Sequence, residues 1–346
     1  MKKFLSIALA LLMVCVMLPV VALADEGITT EQALKDAITA ATDGATITLG
    51  GDIDLSQTIT VNKTITLNMN GKKLYNTSDL WDKPTAEDDN WSLISVRGSG
   101  NLTITGNGTF AAKENDCYAV DVQGGATVTI KNGTFIGNVH AVYVLTGTAN
   151  VEGGTYSVQQ KYPDPAKADE FVLNCYDAHH KDGTARINVT GGTFKNFNPA
   201  DNKAEGKGNN FADNSLVVQK NNTVQNNDFY VGNAANEVIA AASKGEEIFV
   251  LNGTTLTNVP AGVIIQNRTG DRITVNGKDV ELTGDAGYTV PASNITIIVP
   301  GDTTPAETPK TEDQKNPSTG ANDFVGLAAA AAVVALLGSA VVLRKK

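Results

Sequence analysis

The sequence predicts an all-β solenoid of stacked parallel coils, and three observations carry that expectation. A short signature recurs as Asn107-Gly108-Thr109-Phe110, Asn132-Gly133-Thr134-Phe135, Gly153-Gly154-Thr155-Tyr156 and Gly191-Gly192-Thr193-Phe194. Its aromatic positions are 25, 21 and 38 residues apart, and repeat periods in the twenties mark solenoids. Two alternating segments precede each signature. In one, Leu102 and Ile104 align with Val128 and Ile130, then Ala149 and Val151, then Ile187 and Val189. In the other, Ile94 and Val96 align with Val120 and Val122, then Val142 and Val144, then Leu173 and Cys175. Period-two alternation puts these aliphatics on one face of each strand. The residues between them point outward: Thr103, Thr129, Asn150 and Asn188 in one column, Ser95, Asp121, Tyr143 and Asn174 in the other.

Columns of like residues at a coil-length period are what parallel coils require, because equivalent strands stack at a spacing of about 4.8 Å. An immunoglobulin-like sandwich would alternate in the same way without keeping identical columns. Over about residues 45–231 the pattern resembles the right-handed pectate-lyase-like parallel β-helix. The resemblance implies three short strands per coil and glycines at the corners.

Taken from the N-terminus, residues 1–24 read as a signal peptide. Met1-Lys2-Lys3 is basic, Phe4 to Val21 is apolar, and Ala22-Leu23-Ala24 is an A-x-A cleavage site. Cys15 follows Val14 where a lipoprotein signal wants a small residue, so cleavage near Asp25 is expected. The β-helix is expected over 25–232, closed at its first coil by a helix from Thr30 to Thr42. Thr29 at N-cap and Gln32 three residues on form the capping box, and Leu34, Ala37, Ile38 and Ala41 form the apolar stripe. Such a cap covers a strand edge that would otherwise invite pairing. Alternating strands follow through Ile47, Leu49, Ile53, Leu55, Ile59, Val61, Ile65 and Leu67.

A second start comes at Asn236 to Lys244, helical in pattern and ended by Gly245, after which Ile248-Phe249-Val250-Leu251 opens new strands. Residues 233–299 are therefore expected to be a small β-rich module or a far cap. Residues 300–315 are rich in Thr, Pro, Glu, Asp and Lys, a composition that cannot bury a core and suits a spacer.

The tail, 316–346, holds Asn316-Pro317-Ser318-Thr319-Gly320, then an apolar run from Phe324 to Leu343 long enough to cross a bilayer as a transmembrane helix, then Arg344-Lys345-Lys346. A plain membrane anchor would account for the run and its basic stop. The three parts in this order resemble the cell-wall sorting signal of Gram-positive surface proteins. That resemblance implies cleavage by sortase between Thr319 and Gly320 and covalent attachment to peptidoglycan. The family's commonest motif begins with Leu where this one has Asn316, which leaves the sortase class open. Export with a C-terminal anchor places the middle of the chain outside the cell, with the membrane touched only through the C-terminal helix.

Processing changes the charge. Removing Lys2, Lys3, Arg344, Lys345, Lys346 and Asp323 from 27 basic and 37 acidic residues leaves 22 and 36, a net charge of −14. Such a surface repels nucleic acid and anionic membranes. Cys117 and Cys175 alone survive processing, so the chain is no disulfide scaffold. Cys175 falls in an inward column and Cys117 at a different one, which favours two free thiols over a bridge.

Two functions follow. The first is a non-catalytic adhesin or glycan-binding module, with a glycan or host-surface ligand as partner. Trp81 lies inside the loop from Thr77 to Asn90 and Trp91 at its exit, near Asp82, Glu87, Asp88 and Asp89. Tyr162 lies in a second loop, Ser157 to Glu170. Trp81, Trp91 and Tyr162 are the expected ligand-binding residues, since exposed rings beside carboxylates stack on sugars and accept their hydroxyl protons. The indoles could equally pack the first loop onto the solenoid wall. The alternative is a polysaccharide lyase or glycoside hydrolase acting on uronate-type polymers, as the β-helix family contains. Inverting hydrolysis needs two carboxyls roughly 6.5–9.5 Å apart, and the outward columns offer Asp121 alone. A lyase would add calcium and a basic proton acceptor; the nearest cluster is Asp177, His179, His180, Asp182 and Arg186, which reads better as a solvated corner. No catalytic residue, metal ligand or cofactor is assigned.

Overall fold

The computed structural model describes residues 27–80, 91–114, 117–160, 171–200, 209–211, 215–220, 227–281 and 286–292. The expected signal peptide, the spacer, the sorting signal and the C-terminal transmembrane helix lie outside the described residues. None of the described helices is long and apolar enough to cross a membrane.

The described chain is mostly β, with few helices and long parallel sheets in a parallel β-helix-like arrangement. The first sheet stacks strands Ala45–Thr48, Thr64–Asn68, Asn101–Thr105, Ala126–Ile130, Gly147–Val151, Ala185–Val189 and Asn209–Phe211, all parallel. The second begins with Ile53–Asp54, Lys73–Tyr75, Thr109–Ala111, Thr134–Gly137, Thr155–Val158 and Gly192–Lys195, also parallel. The third holds Ile59–Val61, Ser92–Arg97, Tyr118–Gln123, Val142–Val144 and Leu173–Cys175. The chain visits the sheets in rotation, one strand each per coil.

The inward columns stack as expected. Leu102 pairs with Val128, Val128 with Ala149, and Ala149 with Ile187. Ile94, Val120, Val142 and Leu173 form the equivalent row in the third sheet. All are buried. The aromatic signature becomes a spine. Phe110, Phe135, Tyr156 and Phe194 are fully buried, with ring centroids 4.8, 5.1 and 5.1 Å apart and planes within 12° of parallel. The strand spacing sets these distances, so each ring stacks without leaving its strand. The Tyr156 hydroxyl donates to the Gly153 carbonyl at 2.6 Å, which satisfies the spine's polar atom.

The Gly corners are needed for this stacking. Gly133 and Gly154 adopt φ of +116° and +97°, a region that favours glycine. A Cβ on Gly154 would stand 2.9 Å from the Gly133 carbonyl oxygen, the atom that accepts Thr155 N–H at 2.8 Å.

Helix α1, Glu31–Ala40, opens the solenoid and buries Leu34 and Ile38, with Ala33, Ala37 and Ala41 packed against the core. Its N-cap is Thr30, whose hydroxyl accepts Ala33 N–H at 3.2 Å. This corrects the capping box by one residue: Thr29 lies outside the helix, and the Gln32 side chain donates to Asp36 Oδ1 at 2.8 Å. Glu31 instead accepts from Ser56 N and Ser56 Oγ, both at 2.8 Å, tying the cap to the first coil. Those bonds and Lys35 hold the Glu31 carboxyl below its usual range, against a burial effect that raises it.

Beyond Gly192–Lys195 the pairing changes direction. Asp228–Val231 and Val217–Lys220 join the second sheet antiparallel, and Glu247–Asn252 follows antiparallel to Val217–Lys220. Helix α3 (Asn233–Ala240) starts earlier than the expected Asn236 and stops before Lys244; Gly245 lies in the turn that follows, at φ +87°. Burial of Ala235 and Ile239 sets its position. This part has its own core around Val218, Ile248, Val250, Ile265 and Val275, while the second sheet runs unbroken into it.

Between them, helix α2 (Asp177–Lys181) forms one corner. His179 Nδ1 bonds the Leu145 carbonyl at 2.7 Å, Asp182 accepts Thr184 N–H at 2.9 Å, and Arg186 Nε donates to Gly183 O at 3.1 Å. Local bonding thus accounts for His179, Asp182 and Arg186, while His180 Nδ1 is buried with no hydrogen-bond partner among the described residues. Among the described residues no group of three or more His, Cys, Asp or Glu is placed to hold a metal. Cys117 and Cys175 are buried and not joined in a disulfide, and burial pushes the pKa of both up to about 12.

Candidate functional site

The site is built on the outer face of the third sheet. The register Ser95, Asp121, Tyr143, Asn174 is as the alternation predicts, but its exposure is not. Ser95 is fully buried and Asp121 is 1% exposed. At these two positions outward from the strand is not outward to water, whereas Tyr143 and Asn174 in the same column are half-buried. Hydrogen bonding explains how a carboxylate survives. Asp121 Oδ1 accepts from Ser95 Oγ, and Oδ2 accepts from Gln123 Nε2 at 2.9 Å and Ser92 Oγ at 3.1 Å. Arg97 Nε donates to Ser95 Oγ at 2.7 Å, bringing a guanidinium to the same cluster. Burial raises the Asp121 pKa to about 6, and these bonds and the Arg97 charge limit the rise.

Beside this cluster lies a group of rings. Trp91 O accepts Tyr118 N–H at 2.6 Å, so the two residues are set by adjacent coils. Their ring centroids are 6.3 Å apart. Tyr118 lies 5.0 Å from Tyr143 and 5.2 Å from His140, and His140 stacks on Tyr143 at 5.5 Å and 11°. Trp91, Tyr118 and Tyr143 are half-buried, so they offer surface to a ligand while held from below. His140 is buried. Its Nδ1 donates to the Phe171 carbonyl at 2.7 Å, which leaves Nε2 to accept from Asn174 Nδ2 at 3.3 Å. Burial lowers its pKa to about 4, so the ring is neutral near pH 7.

The arrangement suits binding. Partly exposed aromatic rings present flat apolar faces, and the Asn174 amide and tyrosine hydroxyls supply polar contacts beside them. Asp121 is directed into its own hydrogen-bond cluster. Of the three expected ligand-binding residues, Trp91 belongs to this group; Trp81 and Tyr162 lie outside the described residues, as do Asp82, Glu87, Asp88 and Asp89. Tyr118 and His140 were missed in the sequence. Their signal was available, because extending the Val120–Val142 pairing backward by two residues puts Tyr118 beside His140. No family model matches the chain, and neither a curated protein nor a solved structure does.

Proposed function

We propose that the protein is a secreted, cell-wall-anchored display protein of a Gram-positive bacterium that binds a glycan without cleaving it. In this reading the solenoid is a right-handed, pectate-lyase-like β-helix. Sortase joins Thr319 to peptidoglycan, and the spacer at 300–315 carries the solenoid away from the membrane. The observation that carries the binding function is the half-buried ring group Trp91, Tyr118 and Tyr143 beside neutral His140 and Asn174. A sugar stacks on such rings through its C–H face. Catalysis on this face is disfavoured because Asp121, the column's carboxylate, is enclosed by Ser92, Ser95 and Gln123.

Glycan-array binding tests the function. Trp91→Ala is expected to weaken the signals of glycans held by these rings by about ten-fold, the equivalent of about 1.4 kcal/mol. Equal signals from the two proteins would reject this face as the site. The anchoring proposal has its own test. Thr319→Ala is expected to move the protein from the covalent wall fraction to the membrane fraction, and an unchanged wall fraction would remove it.

A further inference from the structure

A second feature lies on a different part of the solenoid. At the corner between the first and second sheets runs an open groove of about 730 Å³, within the size range of small-ligand sites. Its floor is the ladder of glycine corners, Gly133, Gly154 and Gly192. One wall is the threonine ladder Thr134, Thr155 and Thr193, and helix α3 stands at its end through Asn233 and Glu237. The floor spans four coils, from Asn107 to Gly192, or roughly 15 Å at about 4.8 Å per coil.

The glycines along the groove are required by the packing beneath them. Gly192 has φ +120°, and a Cβ there would stand 3.2 Å from the Gly154 carbonyl and 3.3 Å from the Phe194 ring. The aromatic spine thus lies directly beneath the floor, and the floor cannot be filled by substitution without strain.

We infer that this groove binds a neutral linear oligosaccharide lying along the solenoid axis. The chemistry of the lining selects that ligand class. Ala234 is its one apolar side chain, so a lipid or an apolar peptide finds no anchor. The carbonyls of Gly108, Gly133 and Gly154 already accept Thr134, Thr155 and Thr193 N–H, so no strand edge is open for a peptide to extend. Lys131 is opposed by Glu152 and Glu237, which removes any preference for a polyanion. Threonine hydroxyls remain, repeating at the coil spacing, which is close to the rise of one sugar in an extended chain, with the amides of Asn107 and Asn132 in two adjacent coils and Asn233 on the helix. Asn132 Oδ1 is buried at this wall with no hydrogen-bond partner among the described residues. An unmade bond of that kind costs about 1–3 kcal/mol, and turning the Asn132 side chain toward the opening would let a sugar hydroxyl supply the donor.

The test is calorimetric titration of the full chain with cello- and chito-oligosaccharides of increasing length. Affinity is expected to rise with length and level off at about three or four sugars, as the groove length dictates. Thr155→Tyr puts a ring across the groove at a surface strand position that tolerates aromatics, and is expected to weaken binding about ten-fold or more. Asn132→Ala, a smaller change, is expected to weaken it about five-fold. Absence of heat with every oligosaccharide overturns the inference, as does binding that neither groove substitution alters while circular dichroism shows both folded. Binding lost only with Trp91→Ala would assign the sugar to the ring group and remove the groove.

Discussion

Replacing Phe135 by Ala is expected to lower the stability of the solenoid by about 3–5 kcal/mol, the range for deleting a large buried aromatic. Phe135 is fully buried, with Phe110 stacked on one side and Tyr156 on the other. Each stack adds about 0.5–1.5 kcal/mol beyond area burial, and the stacking geometry leaves little room for neighbours to close the cavity. The side chains above and below are fixed at the strand spacing and cannot collapse inward without breaking ladder bonds such as Thr155 N–H to Gly133 O. Urea denaturation should show the midpoint falling while the slope stays constant. Thr134→Ala, one residue away on the outer face, should stay within about 0.5 kcal/mol. A loss below about 1 kcal/mol at Phe135 would mean that the spine is not a packed column. Hydrogen exchange adds a spatial check: because a solenoid coil is held chiefly by its neighbours, protection should fall first at the coils of Phe110 and Tyr156.

The second large effect is a pair of opposed titrations. Asp121 moves from 3.8 to about 6 on folding, and His140 from 6.5 to about 4. Between pH 6 and 4 the folded protein holds a proton on Asp121 that the unfolded chain has released, so this group stabilises the fold increasingly as pH falls. His140 does the reverse. Between pH 6.5 and 4 the unfolded chain takes up a proton that the buried ring refuses, so its contribution is lost as pH falls. At 1.36 kcal/mol per unit each effect is at most roughly 3 kcal/mol, and they offset. The two groups therefore add little net slope to the melting temperature of the wild type between pH 7 and 4. Asp121→Asn leaves the histidine effect alone, and the variant should lose stability on acidification relative to the wild type. His140→Gln should do the opposite and gain. Cys117, raised to about 12, does not titrate in this window. Melting curves for both variants that run parallel to the wild type would show that neither group is enclosed as described.

The stacking was legible in the sequence to the level of individual pairs. Phe135 opposite Tyr156, Val128 opposite Ala149 and Cys175 opposite Val144 all follow from aligning one coil on the next. The capping helix was legible too, with an error of one residue at Thr30, because two adjacent threonines offer the same cap chemistry. Helix α3 was displaced by more. Its start depends on Ala235 finding the second core, and no local cap residue marks it, since its N-cap is Gly232 at φ +60°. The candidate site was legible in one part, Trp91. Tyr118 and His140 escaped notice because each stands outside the clean alternation, and their closeness comes from adjacent coils.

The amino-acid sequence by itself determined which residues share a column and which side of each strand they take, because a period-two pattern repeated at coil length admits one stacking register. Only the tertiary structure decided that the outward column of the third sheet is dry at Ser95 and Asp121. Alternation tells which way a side chain leaves its strand, but water is excluded by what packs over that face. Here Ser92, Ser95 and Gln123 reach the carboxylate from neighbouring positions and take the hydrogen bonds that solvent would otherwise make.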